Sequence, residues 1–155
     1  MKLQRMRTQG LKIFVMADTH DRLPPTIATL ARDSDEIWHL GDVCAPSILE
    51  VVEEIGPPVT IVKGNCDDDP RWPPVVELER HGVRFHLVHI PPLQPPPKVD
   101  VVLHGHTHVP RDETKEGVRF LNPGCVTRPN RGSPPSVGTL EIETNGALRW
   151  SLTRV

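Results

Sequence analysis

The sequence predicts an α/β chain built in two unlike halves. Three observations carry this: apolar runs alternate with helical stretches up to about residue 63, strand-like runs follow closely after it, and no repeat or linker divides the two parts. Sheets from the two halves are therefore expected to pack face to face as one unit. At 155 residues the chain is long enough to bury one core and short for two. Residues 1–10, "MKLQRMRTQG", read as a flexible N-terminal extension and residues 11–155 as a single domain.

The first strand is the run "KIFVMA" at 12–17, and a helical stretch follows over about 24–32. "EIWHL" at 36–40 is the second strand. In "PSILEVVEEI" at 46–55, Ile48, Val51, Val52 and Ile55 recur at helical spacing, Pro46 suits a first turn, and Gly56 with Pro57 ends the helix. "VTIVK" at 59–63 completes a β-α-β-α-β pattern, for which a parallel sheet is expected. The second half reads as strands at 75–80, 83–89, 100–104, 118–121, 137–143 and 147–153. A His81-Gly82 turn joins the first two and an Asn145-Gly146 hairpin turn joins the last two. Eighteen prolines, many in pairs, mark stiffened loops between these elements.

Composition excludes several classes of function. A formal charge of −2, from 18 basic and 20 acidic residues mixed along the chain, offers no extended surface for nucleic acid or anionic membrane. The basic start precedes an apolar run that ends at Asp18 without a cleavage pattern, so neither a signal peptide nor a membrane span is expected. Cys44, Cys66 and Cys125 are odd in number and lack C-x-x-C spacing, against a disulfide framework or a thiolate zinc site. A reducing cytoplasm fits that usage.

Polar residues gather where the apolar runs stop, and in open α/β sheets ligands bind beyond the carboxyl ends of strands. "FVMA" ends in Asp18-Thr19-His20, "IWHL" in Gly41-Asp42, "TIVK" in Gly64-Asn65, "FHLV" in His89 and "VVLH" in Gly105-His106-Thr107-His108. Three of these ends carry a glycine, read as the point where the backbone turns sharply. Carboxylate, amide and imidazole donors without sulfur suit manganese, iron, zinc, cobalt or nickel. Seven donors exceed the needs of one catalytic zinc and match two metals that share a carboxylate.

The ordered series Asp18-x-His20, Gly41-Asp42, Gly64-Asn65, His89 and Gly105-His106-x-His108 resembles the motifs of the calcineurin-like metallophosphoesterase superfamily. It is most similar to the small single-domain prokaryotic phosphodiesterases of that family, in which "GNCD" (64–67) and "NPG" (122–124) also occur. The resemblance spans about residues 11–150. It implies an α/β (α+β) fold in which two mixed β-sheets pack as a sandwich flanked by helices. It also implies one metal held by Asp18, His20, Asp42 and His108 and another by Asp42, Asn65, His89 and His106, with Asp42 as the bridge. The implied cofactors are two divalent ions, manganese first, with iron, zinc, nickel or cobalt as alternatives. Hydroxide held between them would attack phosphorus, so no side chain is assigned as nucleophile; Asp42 and Asn65 would position the metals and the phosphate.

Two positions depart from the family pattern. Relatives often carry histidine directly after the asparagine ligand, to protonate the leaving oxygen, and Cys66 stands there instead. A thiol with a pKa of roughly 8.5 is a poor replacement for an imidazolium. Relatives also often place a helix after the His89 position, and prolines 91, 92, 95, 96 and 97 oppose one here. Asp67 has two readings: it orients a water or a neighbouring group in catalysis, or it is a solvated acid of the "CDDDP" loop.

The remaining polar residues take plainer readings. His39 and His104 are read as packed, hydrogen-bonded histidines or supports of ligands; His86 points to the face opposite His89, and His81 belongs to a turn. Asn122 is read as a loop staple, Arg128 and Arg131 as solvated loop arginines, and Cys44 and Cys125 as small packing residues. The reading that follows is a phosphoesterase, with a phosphodiester as the first small substrate. Phosphomonoester or nucleotide hydrolysis is the alternative, as is a weakly active metal-binding scaffold like the retromer subunit of the same superfamily. A homo-oligomer is compatible with either.

Overall fold

Leu11–Met16 forms the first strand, β1, and its apolar side chains divide between two faces that are both buried. The computed structural model describes residues 10–155, so the N-terminal extension read at 1–10 lies, but for Gly10, outside the described residues. After β1 come α1 (Thr26–Ala31), β2 (Glu36–His39), α2 (Pro46–Glu54) and β3 (Val59–Ile61). Seven strands follow: β4 (Val75–Arg80), β5 (Val83–Val88), β6 (Val101–Leu103), β7 (Arg111–Lys115), β8 (Val118–Asn122), β9 (Ser136–Ile142) and β10 (Leu148–Arg154).

These strands make two mixed five-stranded sheets, ordered β10-β9-β1-β2-β3 and β4-β5-β6-β8-β7. β1, β2 and β3 are parallel, as the alternating first half predicts. The β9–β10 hairpin returns from the far end of the chain and pairs antiparallel with β1. The second sheet has a parallel centre of β5, β6 and β8 with antiparallel strands at both edges.

The main core lies between the sheets. Ile13, Val15, Trp38, Leu40 and Leu140 of the first meet Phe85, Leu87, Val101, Leu103 and Leu121 of the second. Trp38 meets Phe85 edge-on at 5.2 Å, a contact that adds about 0.5–1.5 kcal/mol to the burial of both rings. At the amino end of β2, Arg80 clamps the buried Glu36 carboxylate through Nε at 2.8 Å and a terminal nitrogen at 2.9 Å, tying β4 to the other sheet. A second core covers the outer face of the first sheet, where Ile27 and Ala31 of α1 and Val52 of α2 pack on Phe14, Met16 and Ile37.

Both helices lie on that one sheet. The outer face of the second sheet carries a small cluster of Val99, Val102, Val118 and Phe120, and the proline-rich segment 91–97 forms no helix. With β1, β2, β3, β5 and β6 parallel within their sheets, their carboxyl ends gather the motif loops along one edge of the sandwich.

Candidate metal centre

The loops at that edge hold an unusual backbone. Asp18, His20, Asp42, His106 and His108 all have positive φ, between 45° and 73°. Such conformations cost non-glycine residues free energy and persist where the surrounding structure holds them. The hold is visible: Asp18 N–H donates to Gly41 O at 2.9 Å, His20 N–H to Asp42 O at 3.0 Å and Gly105 N–H to His89 O at 3.0 Å. Two of the three glycines work otherwise than their sequence suggests. Gly41 turns at a φ of 100°, whereas Gly64 and Gly105 have no positive φ. Those two leave room: a Cβ on Gly64 would overlap Asp42, and one on Gly105 would lie 2.9 Å from Ala17 Cβ and 3.0 Å from Asp18 Oδ2.

The structure brings all seven candidate ligands into one cluster. Asp18, His20 and His108 form one group and Asp18, Asp42 and His89 another, with ligand atoms within 4.8 Å of one another in each. Asp42 Oδ2 reaches a histidine of both, at 3.7 Å from His20 Nε2 and 3.3 Å from His89 Nε2. Asp18 Oδ1 lies 3.4 Å from His108 Nε2 and 3.8 Å from His89 Nε2. His106 joins through its backbone N–H, which donates to Asp18 Oδ2 at 3.2 Å, and its ring, 5.2 Å from that of His89. Asn65 Oδ1 lies 3.2 Å from His106 Nδ1.

Ring tautomers are set by the surroundings. His89 Nδ1 donates to Leu40 O at 2.8 Å and His108 Nδ1 to Arg128 O at 2.6 Å. In the neutral form each ring would turn an Nε2 lone pair into the cluster, the orientation a metal ligand needs. Burial pushes the Asp18 carboxyl up to about 6, partly offset by His89 and His108. Burial also acts against the Asp42 carboxylate, yet the adjacent His89 ring and the Cys66 N–H hold it below the usual carboxylate range. Burial lowers His20 and His106, so their rings favour the neutral form.

The cluster fits divalent cations on its own atoms. Asp18 Oδ1 and His89 Nε2 are buried without a hydrogen-bond partner, an arrangement costing about 1–3 kcal/mol per group unless something fills it. His20 Nε2 and His108 Nε2 face each other at 3.3 Å. One cation in each group would satisfy these four atoms between them.

Residues behind the cluster support it. Asp67 is buried rather than solvated, and accepts the N–H groups of Asp42 at 2.8 Å, Cys44 at 2.8 Å and Gly64 at 2.7 Å. His39 accepts the Gly41 N–H on Nδ1 and so donates from Nε2 to Thr19 Oγ1, each at 3.1 Å; burial lowers its pKa to about 4. His104 donates from Nδ1 to Gly105 O at 2.9 Å and accepts from Arg111 at 3.2 Å. Asn122 staples the last motif loop, donating to Gly105 O at 3.2 Å and Thr107 Oγ1 at 3.0 Å. Thr127, not singled out by sequence reasoning, donates to the carbonyls of Asp18 and Thr19, both at 3.3 Å. Arg128 and Arg131 are exposed.

Two clefts adjoin the cluster. One of about 570 Å³ is bordered by His106, Thr107, Arg111, Glu113 and Arg131. The other, of about 460 Å³, is bordered by Cys44, Pro46, Asp68, Asp69 and Arg71. Among the described residues no helix is long and apolar enough to cross a membrane.

Comparison with known proteins agrees with this architecture. The family model described as "Calcineurin-like phosphoesterase superfamily domain" matches residues 11–145. Phosphodiesterase YfcE of Escherichia coli is 30% identical over 164 residues, covering 84% of this chain and 88% of that protein. The "Probable metallophosphoesterase" of Methanothermobacter thermautotrophicus is 34% identical over 152 residues, covering 84% and 86%. Among solved structures, Vacuolar Protein Sorting 29 from Cryptosporidium parvum superposes with a TM-score of 0.73 at 21% identity, covering 95% of this chain and all of that one.

Proposed function

The chain belongs to the calcineurin-like phosphoesterase superfamily, and from that premise we propose that it is a two-metal phosphodiesterase that hydrolyses one ester bond of a small phosphate diester. The observation that carries the two-metal reading is the position of Asp42. Its Oδ2 lies 3.7 Å from His20 and 3.3 Å from His89, between two groups of oxygen and nitrogen donors. Asp18, His20, Asp42 and His108 would hold one ion, and Asp42, Asn65, His89 and His106 the other. Manganese is the first choice for this donor set, and iron, zinc, nickel and cobalt also suit it. Two cations there supply an activated water and positive charge against the phosphoryl oxygens.

The chain's own residues do the rest. Asp42 stays anionic across the useful pH range, so its bridging charge is constant. Hydrogen bonds to Leu40 O and Arg128 O point the Nε2 atoms of His89 and His108 inward. Asp67 holds the Asp42 and Asn65 loops at a set distance. The Cys66 thiol stands where a leaving-group acid is needed; burial, followed by the Asp42 charge, raises its pKa further from neutrality. Esters with good leaving groups are therefore the better substrates.

The diester preference is supported by the two clefts, one beside His106 and one beside Cys44, which offer a place for each of two ester substituents. Relatives named phosphodiesterase support the same reading. The test is hydrolysis of bis-p-nitrophenyl phosphate against p-nitrophenyl phosphate by metal-stripped protein refilled with manganese. Faster turnover of the diester is expected. Faster turnover of the monoester would reverse the substrate order, and no turnover with any of the five metals would remove the enzyme reading.

A further inference from the structure

A third group of metal-ligating atoms meets His20. The sulfurs of Cys44 and Cys66 and a His20 ring nitrogen all lie within 4.8 Å of one another. The two faces of the His20 ring serve different neighbours. Nε2 looks toward Asp18 at 3.8 Å, Asp42 at 3.7 Å and His108 at 3.3 Å, while Nδ1 lies 3.6 Å from Cys44 Sγ.

The one sulfur–nitrogen separation of 3.6 Å is close to a tetrahedral edge: zinc–sulfur bonds near 2.3 Å and zinc–nitrogen bonds near 2.0 Å set that edge at about 3.5 Å. Cys66 Sγ lies within 4.8 Å of both partners. The loops are also fixed in advance. Asp67 accepts the Cys44 N–H at 2.8 Å and the Gly64 N–H at 2.7 Å, and the Cys66 N–H donates to Asp42 Oδ1 at 2.9 Å. Cys66 is exposed and Cys44 partly so, and Cys44 borders a cleft through which an ion can enter. Cysteine spacing argues against a thiolate zinc site, but the fold joins two cysteines from different loops.

We propose that Cys44, Cys66 and His20 Nδ1 form a site for one thiophilic divalent cation, zinc or cadmium, and that this site competes with the two-metal centre for His20. Binding releases two thiol protons to solvent and leaves the cation held by two thiolates and one imidazole nitrogen. The fourth position is open to water. A neutral imidazole carries one lone pair and one N–H, so His20 ligates on one side at a time. A cation between the thiols therefore withdraws His20 from the group that contains Asp18 and His108. The competition rests on the two-metal reading; the thiolate site does not.

The test titrates cadmium, through and beyond one equivalent, into manganese-loaded protein. Sulfur-to-cadmium charge-transfer absorbance and retained manganese are then measured after desalting. The band is expected to saturate at one cadmium per chain and to fall to half or less in Cys44→Ser and in Cys66→Ser. Retained manganese is expected to fall from two per chain to one. No band, or a band unchanged in both variants, overturns the site, and a full band with both manganese ions retained overturns the competition. Manganese-loaded protein that hydrolyses neither nitrophenyl ester before cadmium is added, yet shows the band afterwards, refutes the phosphoesterase reading alone. Hydrolysis without the band refutes the thiolate site alone.

Discussion

The Asp67 carboxylate accepts the backbone N–H of Asp42 at 2.8 Å, and the same side chain takes the N–H groups of Cys44 and Gly64. One buried acid thereby joins the loop after β2 to the loop after β3. Asp67→Ala would leave three N–H groups without their acceptor, at about 1–3 kcal/mol each where water does not reach. A loss of about 3 kcal/mol or more is expected in denaturant unfolding, together with weaker metal retention. Stability within about 0.5 kcal/mol of the natural chain would show that the loops hold without it.

Asp42→Asn keeps the shape of the side chain and removes its charge. On the bridging role, manganese retention should fall below two per chain and kcat by at least about 10²-fold, the scale on which groups that stabilise transition-state charge act. Elemental analysis beside nitrophenyl ester kinetics measures both. Turnover near that of the natural chain would end the bridging role.

His39 gives the metal-free protein a pH dependence of known sign. Its folded pKa, lowered to about 4 by burial, lies below the unfolded value, and protonation would set a second N–H against that of Gly41. The unfolded chain therefore binds more protons, and stability present above about pH 6.5 is lost as pH falls. Between about pH 7 and about pH 5 the loss from His39 is about 2 kcal/mol. Asp18, raised to about 6, acts oppositely, with stability lost as pH rises, but it is common to both proteins in the comparison. His39→Gln should show an acid loss smaller by about 2 kcal/mol in urea unfolding, and equal losses would contradict the assignment.

Cys66→His restores an imidazole beside Asn65. General acids contribute about 10²–10⁴-fold where the leaving group needs protonation. The variant should gain at least about tenfold on an alkyl ester and little on a nitrophenyl ester, read as a shallower dependence of rate on leaving-group pKa. An equal gain on both esters would mean that the histidine acts otherwise than as an acid.

The seven-residue series was legible because each candidate ligand follows an apolar run, and parallel strands carry such ends to one edge. Other features were not. β7, "RDETK" at Arg111–Lys115, has no apolar alternation because it is an edge strand, where water replaces one neighbour and charges guard the open side. With β7 unread, the partner of His104 was unread too, since Arg111 lies on it. The pairing of β9 with β1 depends on strand order, which alternation along the chain does not encode. In "CDDDP" nothing local says which acid turns inward, because the donors to Asp67 include two from another loop. The glycines at 64 and 105 were legible as glycines but not as spaces, because the atoms they make room for come from elsewhere in the chain.

The central claim is that Asp42 joins two metal sites. An anomalous-difference map from crystals of manganese-loaded protein tests it most directly. Two peaks roughly 3.5–4 Å apart, one near His20 and His108, the other near His89 and His106, and both within bonding distance of Asp42, are predicted. A single peak at full occupancy, or two peaks of which only one touches Asp42, would contradict it.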